Sequence, residues 1–246
     1  MILQETNIHL SKVVLLRDAF TGMPVSAEIQ IHSLSGGSAE KKSGGYVLFL
    51  NVDSPEIEIE VNSPIYQYRK LSLKTDGGEE AEEILLYPSP AWPLREGHTA
   101  VRGRAKPGSV LRCYLEDARE SCRLLQDYRE RENKISFYLK RGTRSVFWHI
   151  RKKQEKSGEY FHMRYLEGDH EYFQLFQPLT GSWQKKDTLL FPARESIADE
   201  TGEIYLLLGK LPQEKCILQY SCRYAEQEIC GEAEIFSGKE NHILEE

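Results

Sequence analysis

The sequence predicts an all-β protein of tandem antiparallel β-sandwich modules joined by a proline-rich linker, and three observations predict it. First, apolar residues recur with period two in one run after another. Second, turn-forming clusters divide the chain at short intervals: Ser35-Gly36-Gly37, Ser43-Gly44-Gly45, Asp76-Gly77-Gly78, Lys106-Pro107-Gly108, Thr180-Gly181 and Thr201-Gly202. Third, only Glu79 to Leu86 and Leu115 to Glu132 have a helix-friendly composition, and within the second Cys122 to Tyr128 also reads as a strand. A period of two gives one buried and one solvated face, the mark of antiparallel strands.

The elements follow in order. Lys12 to Leu16 reads as a first strand, and Val25, Ala27, Ile29 and Ile31 alternate in a second run. Val47 to Leu50 is a short apolar strand, and Ile57, Ile59 and Val61 alternate with Glu56, Glu58 and Glu60. Then Tyr87-Pro-Ser-Pro-Ala-Trp-Pro-Leu-Arg-Glu-Gly97 places three prolines within six residues. Proline fixes φ and cannot donate to a strand ladder, so this stretch predicts a stiff extended linker. The expected organisation is a sandwich over 1–88, a linker over 89–98 and a larger β region over 99–246. The alternative for the last is two modules dividing near 177–187. Its strands are carried by Val146, Trp148 and Ile150, by Phe161, Met163 and Tyr165, by Tyr205 to Leu208, by Cys216 to Tyr224 and by Glu228 to Phe236.

The first module holds a specific order of residues. A strand runs into Asp18-Ala-Phe-Thr-Gly-Met-Pro-Val25; later come Ser43-Gly-Gly-Tyr-Val-Leu-Phe49, the strand Glu56 to Val61, and Ser63-Pro-Ile-Tyr66. This order resembles the carboxypeptidase regulatory-like domains, small sandwiches of the transthyretin-like (prealbumin-like) group. The matching positions are Asp18, Thr21, Gly22, Pro24, Val25, Gly44, Gly45, Tyr46, Phe49, Ile59, Val61 and Tyr66. Asp18 suits an Asx-turn that accepts from turn amides, with Gly22 supplying a permissive φ and Pro24 setting the exit. The sequence departs from the pattern at Asn51 to Ser54, where a glycine-containing turn is typical. A weaker echo lies near 188–236, at Phe191-Pro192 and Ala198 to Leu208. The resemblance implies the non-catalytic companion domain without its peptidase.

Composition narrows the function classes. The 246 residues carry a net charge of −6, and no apolar run approaches the ~20 residues of a membrane span. The opening residues lack the basic-then-apolar order of a secretory signal, so a cytoplasmic location with no membrane partner is expected. Five cysteines (Cys113, Cys122, Cys216, Cys222, Cys230) contain no CxxC pair. They read as reduced thiols serving as small core residues. Seven histidines form no H-x-H or HExxH pair, and His242-Ile-Leu-Glu245 spells H-x-x-E at the last residues by accident. Neither a nucleophile elbow nor a P-loop occurs, and the adjacent carboxylates Glu79-Glu80 and Glu116-Asp117 would point to opposite strand faces. Glu56, Glu58 and Glu60 could share a hard cation, but a solvated strand face explains them better. No catalytic, cofactor or metal residues are assigned.

Charge supplies the functional lead. Residues 1–98 net −6, residues 99–170 net +7 and residues 171–246 net −7. The basic middle holds Arg102, Arg104 and Lys106 on one expected strand face. Arg119, Arg123, Arg129, Arg131, Lys140, Arg141, Arg144, Arg151, Lys152, Lys153 and Lys156 follow. Aromatics such as Tyr138, Phe147, Trp148 and Tyr160 are interleaved, and Trp92 and Trp183 sit in expected loops where tryptophan often anchors interfaces. The expectation is a non-enzymatic structural or assembly protein that binds other proteins or itself. By analogy of architecture, one setting is an accessory part of a multisubunit particle such as a phage-tail-like contractile apparatus. The candidate interaction residues are Arg102, Arg104, Lys106, Arg151, Lys153, Trp92 and Trp183. The alternative is a module that grips nucleic acid or an acidic glycan through the basic aromatic segment 102–164.

Overall fold

The computed structural model describes residues 8–26, 28–75, 81–117, 119, 121–139, 145–166 and 172–244. Among them the regular structure is β-strand apart from a 3-10 turn at Ser43–Gly45, so the protein is all-β. No described helix is long and apolar enough to cross a membrane. The chain forms two compact units, Met1–Pro93 and Leu94–Glu246. Neither helix-friendly segment forms a helix among the described residues. Glu82–Leu86 is a strand, and Cys122, Leu124 and Tyr128 make isolated bridges to Leu190, Phe137 and Trp183. The turn expected at Asp76 to Gly78, the adjacent Glu79 and Glu80, Ala27 and His170 lie outside the described residues.

The first unit contains β1 (Leu10–Asp18), β2 (Gln30–Ser33), β3 (Ser38–Lys41), β4 (Tyr46–Leu50), β5 (Glu56–Asn62), β6 (Arg69–Lys74) and β7 (Glu82–Leu86). They form one sheet in the order β3-β4-β1-β7 and another in the order β2-β5-β6. Val14 and Leu16 of β1, Val47 and Phe49 of β4 and Leu86 of β7 share one buried core with Ile31, Ile57, Ile59, Val61 and Leu73 of the second sheet. Burying alternate apolar residues from both sheets is what holds a sandwich together, at ~25 cal/mol per Å² removed from water. The pairing is not wholly antiparallel, since β1 runs parallel to β7. On the outer face Glu56 accepts from the Ser72 hydroxyl, Glu58 pairs with Lys70, and Glu60 accepts from the Tyr68 hydroxyl.

Gly45, at φ +81°, brings the chain hard against β1: a Cβ there would stand 2.8 Å from the Leu16 carbonyl oxygen and 3.2 Å from Pro24 Cβ. Gly36 also has positive φ, +85°, but faces open space. Gly45→Ala should therefore cost about 2 kcal/mol, and Gly36→Ala about 1 kcal/mol from backbone strain alone. Chemical denaturation of the two variants checks the ranking; equal losses would show that the close approach is unimportant.

The second unit contains β8 (Thr99–Arg104), β9 (Val110–Leu115), β10 (Lys134–Ser136), β11 (Phe147–Lys152), β12 (Gly158–Tyr165), β13 (Tyr172–Leu175), β14 (Thr188–Ile197), β15 (Glu203–Gly209), β16 (Lys215–Tyr224), β17 (Gln227–Phe236) and β18 (Glu240–His242). Eight strands make one sheet, β10-β13-β12-β11-β14-β9-β16-β17, and three make another, β15-β8-β18. Strands before and after residues 177–187 thus share one sheet, joined where β11 pairs β14. Val101, Ile204 and Leu206 of the small sheet share a core with Leu111, Cys113, Cys216, Leu218 and Cys222 of the large one. Farther along the same face, Trp148, Ile150, Phe161, Met163 and Phe173 are covered by Cys122, Leu124, Tyr128, Leu179 and Trp183.

The period-two reading expected a wet opposite face on β11, but Phe147, His149 and Arg151 are buried as well as Trp148 and Ile150. Curvature explains this. In a flat sheet with strands ~4.8 Å apart, β12 and β17 would stand roughly 24 Å apart. Yet Lys156, in the turn entering β12, reaches Glu232 of β17 at 2.6 Å. The sheet curls, and its concave face fills with Tyr114, Phe147, His149, Arg151, Tyr160 and Phe191.

Candidate functional site

The residues singled out by charge do not form one surface. Arg102 pairs with Glu203 at 2.8 Å and Glu240 at 3.2 Å, the strands on either side of β8. Arg104 is exposed at the end of β8, while Lys106 lies beyond it in the turn, its ammonium 5.2 Å from the Tyr224 ring centroid. The three expected neighbours are thus split between a strand and a turn. Arg151 is buried rather than presented to a ligand. It donates to Glu116 at 3.0 Å and to the carbonyls of Lys152, Lys153 and Glu155, and lies over Phe191. The guanidinium organises the β11–β12 turn.

The tryptophans are core residues too. Trp183 is 8% exposed and packs beneath the large sheet, bridged to Tyr128. Trp92 is half-buried against the core of its own unit, 5.2 Å from the Tyr66 ring. The loop placement holds, but neither is a free anchor, because rings that large are drawn to the nearest apolar surface. Four of the cysteines are buried as expected, and the fifth, Cys230, is exposed. Burial pushes the Cys113 thiol up to about 12. Of the seven, Lys153 lines a depression of about 480 Å³, together with Arg123, Lys185 and Lys186. Lys140, Arg141 and Arg144 lie outside the described residues.

The concave face gathers His149, Tyr114, Tyr160 and Arg151. The His149 ring stacks on Tyr114, centroids 4.3 Å apart, and stands 4.4 Å from Tyr160. Burial chiefly, with the Arg151 charge helping, lowers the imidazole to about 3. Burial likewise raises the Tyr114 and Tyr160 hydroxyls. Burial thus keeps the imidazole and both phenols uncharged near pH 7, and the three rings pack the concave face. At its rim Gln219 donates to Glu116 at 2.7 Å and to Glu232 at 3.1 Å, linking Arg151 to Lys156.

The large sheet ends at β17, ten residues long. Among the described residues no strand pairs with its outer side. Gln227, Glu228, Ile229 and Cys230 are all exposed, Ile229 at 64% and Phe236 farther along at 42%. Glu228, Glu232 and Glu234 share one parity, with Cys230 and Phe236. The alternation Glu228 to Phe236 was legible in the sequence, but an edge position is not: it depends on which strands pair, and nothing local encodes that.

No known protein family matches the chain. No curated protein matches it either. Among solved structures it is similar to a chain described as "Anomalous substructure of Titin-A168169", with 9% identity and a TM-score of 0.14. That alignment covers 96% of this chain and 98% of the other. So low a TM-score carries no argument about fold or function.

Proposed function

We propose that this chain is a non-enzymatic assembly module that joins a partner protein by strand addition at β17. The observation that carries this reading is the long outer edge with Ile229 and Phe236 exposed. An unpaired strand presents a row of N–H and C=O groups, and proteins commonly recruit extended segments to such edges. Charge selects the occupant. A second copy pairing antiparallel through β17 would set glutamates near glutamates on one face, which is destabilising. An extended segment with lysine or arginine at alternate positions would face those glutamates favourably. The all-β architecture in two compact units supports the same reading, as do the resemblance of the first module to carboxypeptidase regulatory-like domains and the Asp18 turn it rests on.

The test uses a synthetic peptide alternating valine and lysine, with one alternating valine and glutamate as its counterpart. The lysine peptide should bind and the glutamate peptide should not. Ile229→Lys should weaken binding about tenfold or more, since it removes an apolar contact and adds repulsion. Titration calorimetry reads this directly. Equal affinity for both peptides, or an unaffected Ile229→Lys variant, would remove β17 as the docking edge. A salt-resistant dimer in light scattering would make the occupant a second copy.

A further inference from the structure

Apart from the β17 edge, the depression beside Lys153 has its own chemistry. Arg123, Lys153, Lys185 and Lys186 line it with a single carboxylate, Asp127. Asp127 is already used, since its Oδ1 accepts from the Lys185 backbone N–H at 2.7 Å. Among the described residues no ion pair is formed by the Arg123, Lys185 or Lys186 side chains. Elsewhere in the unit Arg102, Arg112, Arg151, Lys156 and Lys215 all meet carboxylates. Like charges repel unless something offsets them, so an unneutralised cluster points to an anion from outside.

The cluster is also held in place. Its residues come from three segments stitched together by backbone bonds. Tyr128 and Trp183 exchange two bonds at 2.9 Å, the Lys153 N–H donates to Asp187 at 2.8 Å, and the Lys153 ammonium donates to the Lys186 carbonyl. Buried Leu124 and Trp183 anchor the floor from below. Tyr138, 62% exposed, is the cross-strand neighbour of Arg123: its N–H donates to the Arg123 carbonyl at 2.9 Å. A fixed backbone lowers the ordering cost of binding. The volume falls within the ~300–1,000 Å³ range of small-molecule sites.

We propose that this depression binds a small molecule bearing several oxyanion groups, phosphates or sulfates, with Arg123, Lys185 and Lys186 as its principal contacts and Tyr138 stacking on any attached ring. Arg supplies a planar fork and Lys a point charge, both suited to phosphate or sulfate oxygens. Three net positive charges match a ligand of three or more negative ones.

The experiment titrates the full chain with tripolyphosphate, ATP and a trisulfated disaccharide by calorimetry. At least one should bind one to one, and the relative affinities of the phosphate and sulfate arms identify the source. Arg123→Glu, and separately Lys185→Glu with Lys186→Glu, should each weaken binding about tenfold or more. All three side chains are exposed, so these variants should unfold like the parent. Lys74→Glu, which changes the charge as much as Arg123→Glu but in the other unit, should leave the affinity unchanged. Tyr138→Ala should weaken ATP or the disaccharide but not tripolyphosphate. Raising salt from about 50 to about 500 mM should weaken every ligand. Absence of binding by all three, several sites per chain, or an equal loss with Lys74→Glu would overturn the proposal. So would a single-stranded oligonucleotide binding where none of the three does.

Discussion

Asp18→Ala is expected to destabilise the first unit by about 3 kcal/mol, a sizeable part of a small domain's total. The carboxylate is buried at the end of β1. One oxygen accepts from the Phe20 and Thr21 backbone N–H groups at 2.8 and 2.7 Å, and the other from the Tyr66 hydroxyl at 2.7 Å. Removing it leaves three donors without an acceptor, one on a phenol that burial and the Asp18 contact hold in its protonated form. Asp18→Asn keeps the acceptor oxygen and should recover about half the loss, while Tyr66→Phe, which removes a single bond, should cost about 1 kcal/mol. Hydrogen exchange of the β1 and β5 amides reads this unit alone. A loss for Asp18→Ala no larger than that for Tyr66→Phe would show that the turn amides find water instead, and would remove Asp18 as the organiser of this corner.

The same device recurs in the second unit with a different fastening. Asp199 Oδ1 accepts from the Thr201 N–H and hydroxyl and from the Glu203 N–H, and Gly202 takes φ +81°. This turn leads into β15, as the Asp18 turn leads toward Val25. Asp199 lies near the surface, so the two turns share a local chemistry while only the first ties it to a buried tyrosine. Both turns, with glycine four residues after Asp18 and three after Asp199, are accounted for by their backbone requirements, an acceptor for nearby amides and a residue tolerant of positive φ.

Local chemistry was therefore well legible in the sequence. Asp18, Gly22 at φ +71° and the buried alternation of Ile57, Ile59 and Val61 are each set by residues within a few positions. At Asn51, where the sequence lacks the usual glycine, asparagine takes φ +55° itself, and its side chain accepts from the His9 N–H at 2.8 Å. Long-range placement was not legible. A basic residue on a strand looks the same whether it ends beside two glutamates, as Arg102 does, or beneath a curled sheet, as Arg151 does. Lys185 and Lys186 fall outside the basic segment read from the sequence, and they join Arg123 only because residues 121–128 and 183–187 fold over one face of the large sheet. The concave face was hidden for the same reason, since curvature converts a nominal solvent face into a second core.

That second core carries the strongest pH dependence expected of this protein. His149 is 3% exposed, and neither ring nitrogen has a hydrogen-bond partner among the described residues. Charging it would place a cation between two aromatic rings and beside the Arg151 guanidinium, so the folded protein holds the imidazole at about 3 against 6.5 for a free one. The Lys156 backbone, nearby but outside hydrogen-bond geometry, acts the other way and is outweighed. Between those two values the unfolded chain binds the proton and the folded one does not. Stability is thus fully present above about pH 6.5 and drains away as pH falls toward 3, by about 1.4 kcal/mol per unit for this one group. By pH 5 the loss is about 2 kcal/mol. Replacing the imidazole with a non-titrating ring, His149→Phe, should flatten that part of the profile while carboxylates elsewhere still destabilise both proteins in acid. Exchange rates of the β11 amides, corrected for intrinsic pH dependence, give the two profiles from about pH 7.5 to 4.5. If they run parallel, the concave face admits water to His149 in the folded state. The curl that buries it would then have to open without unfolding the unit, and the Lys156–Glu232 pair across the rim is where that opening would begin.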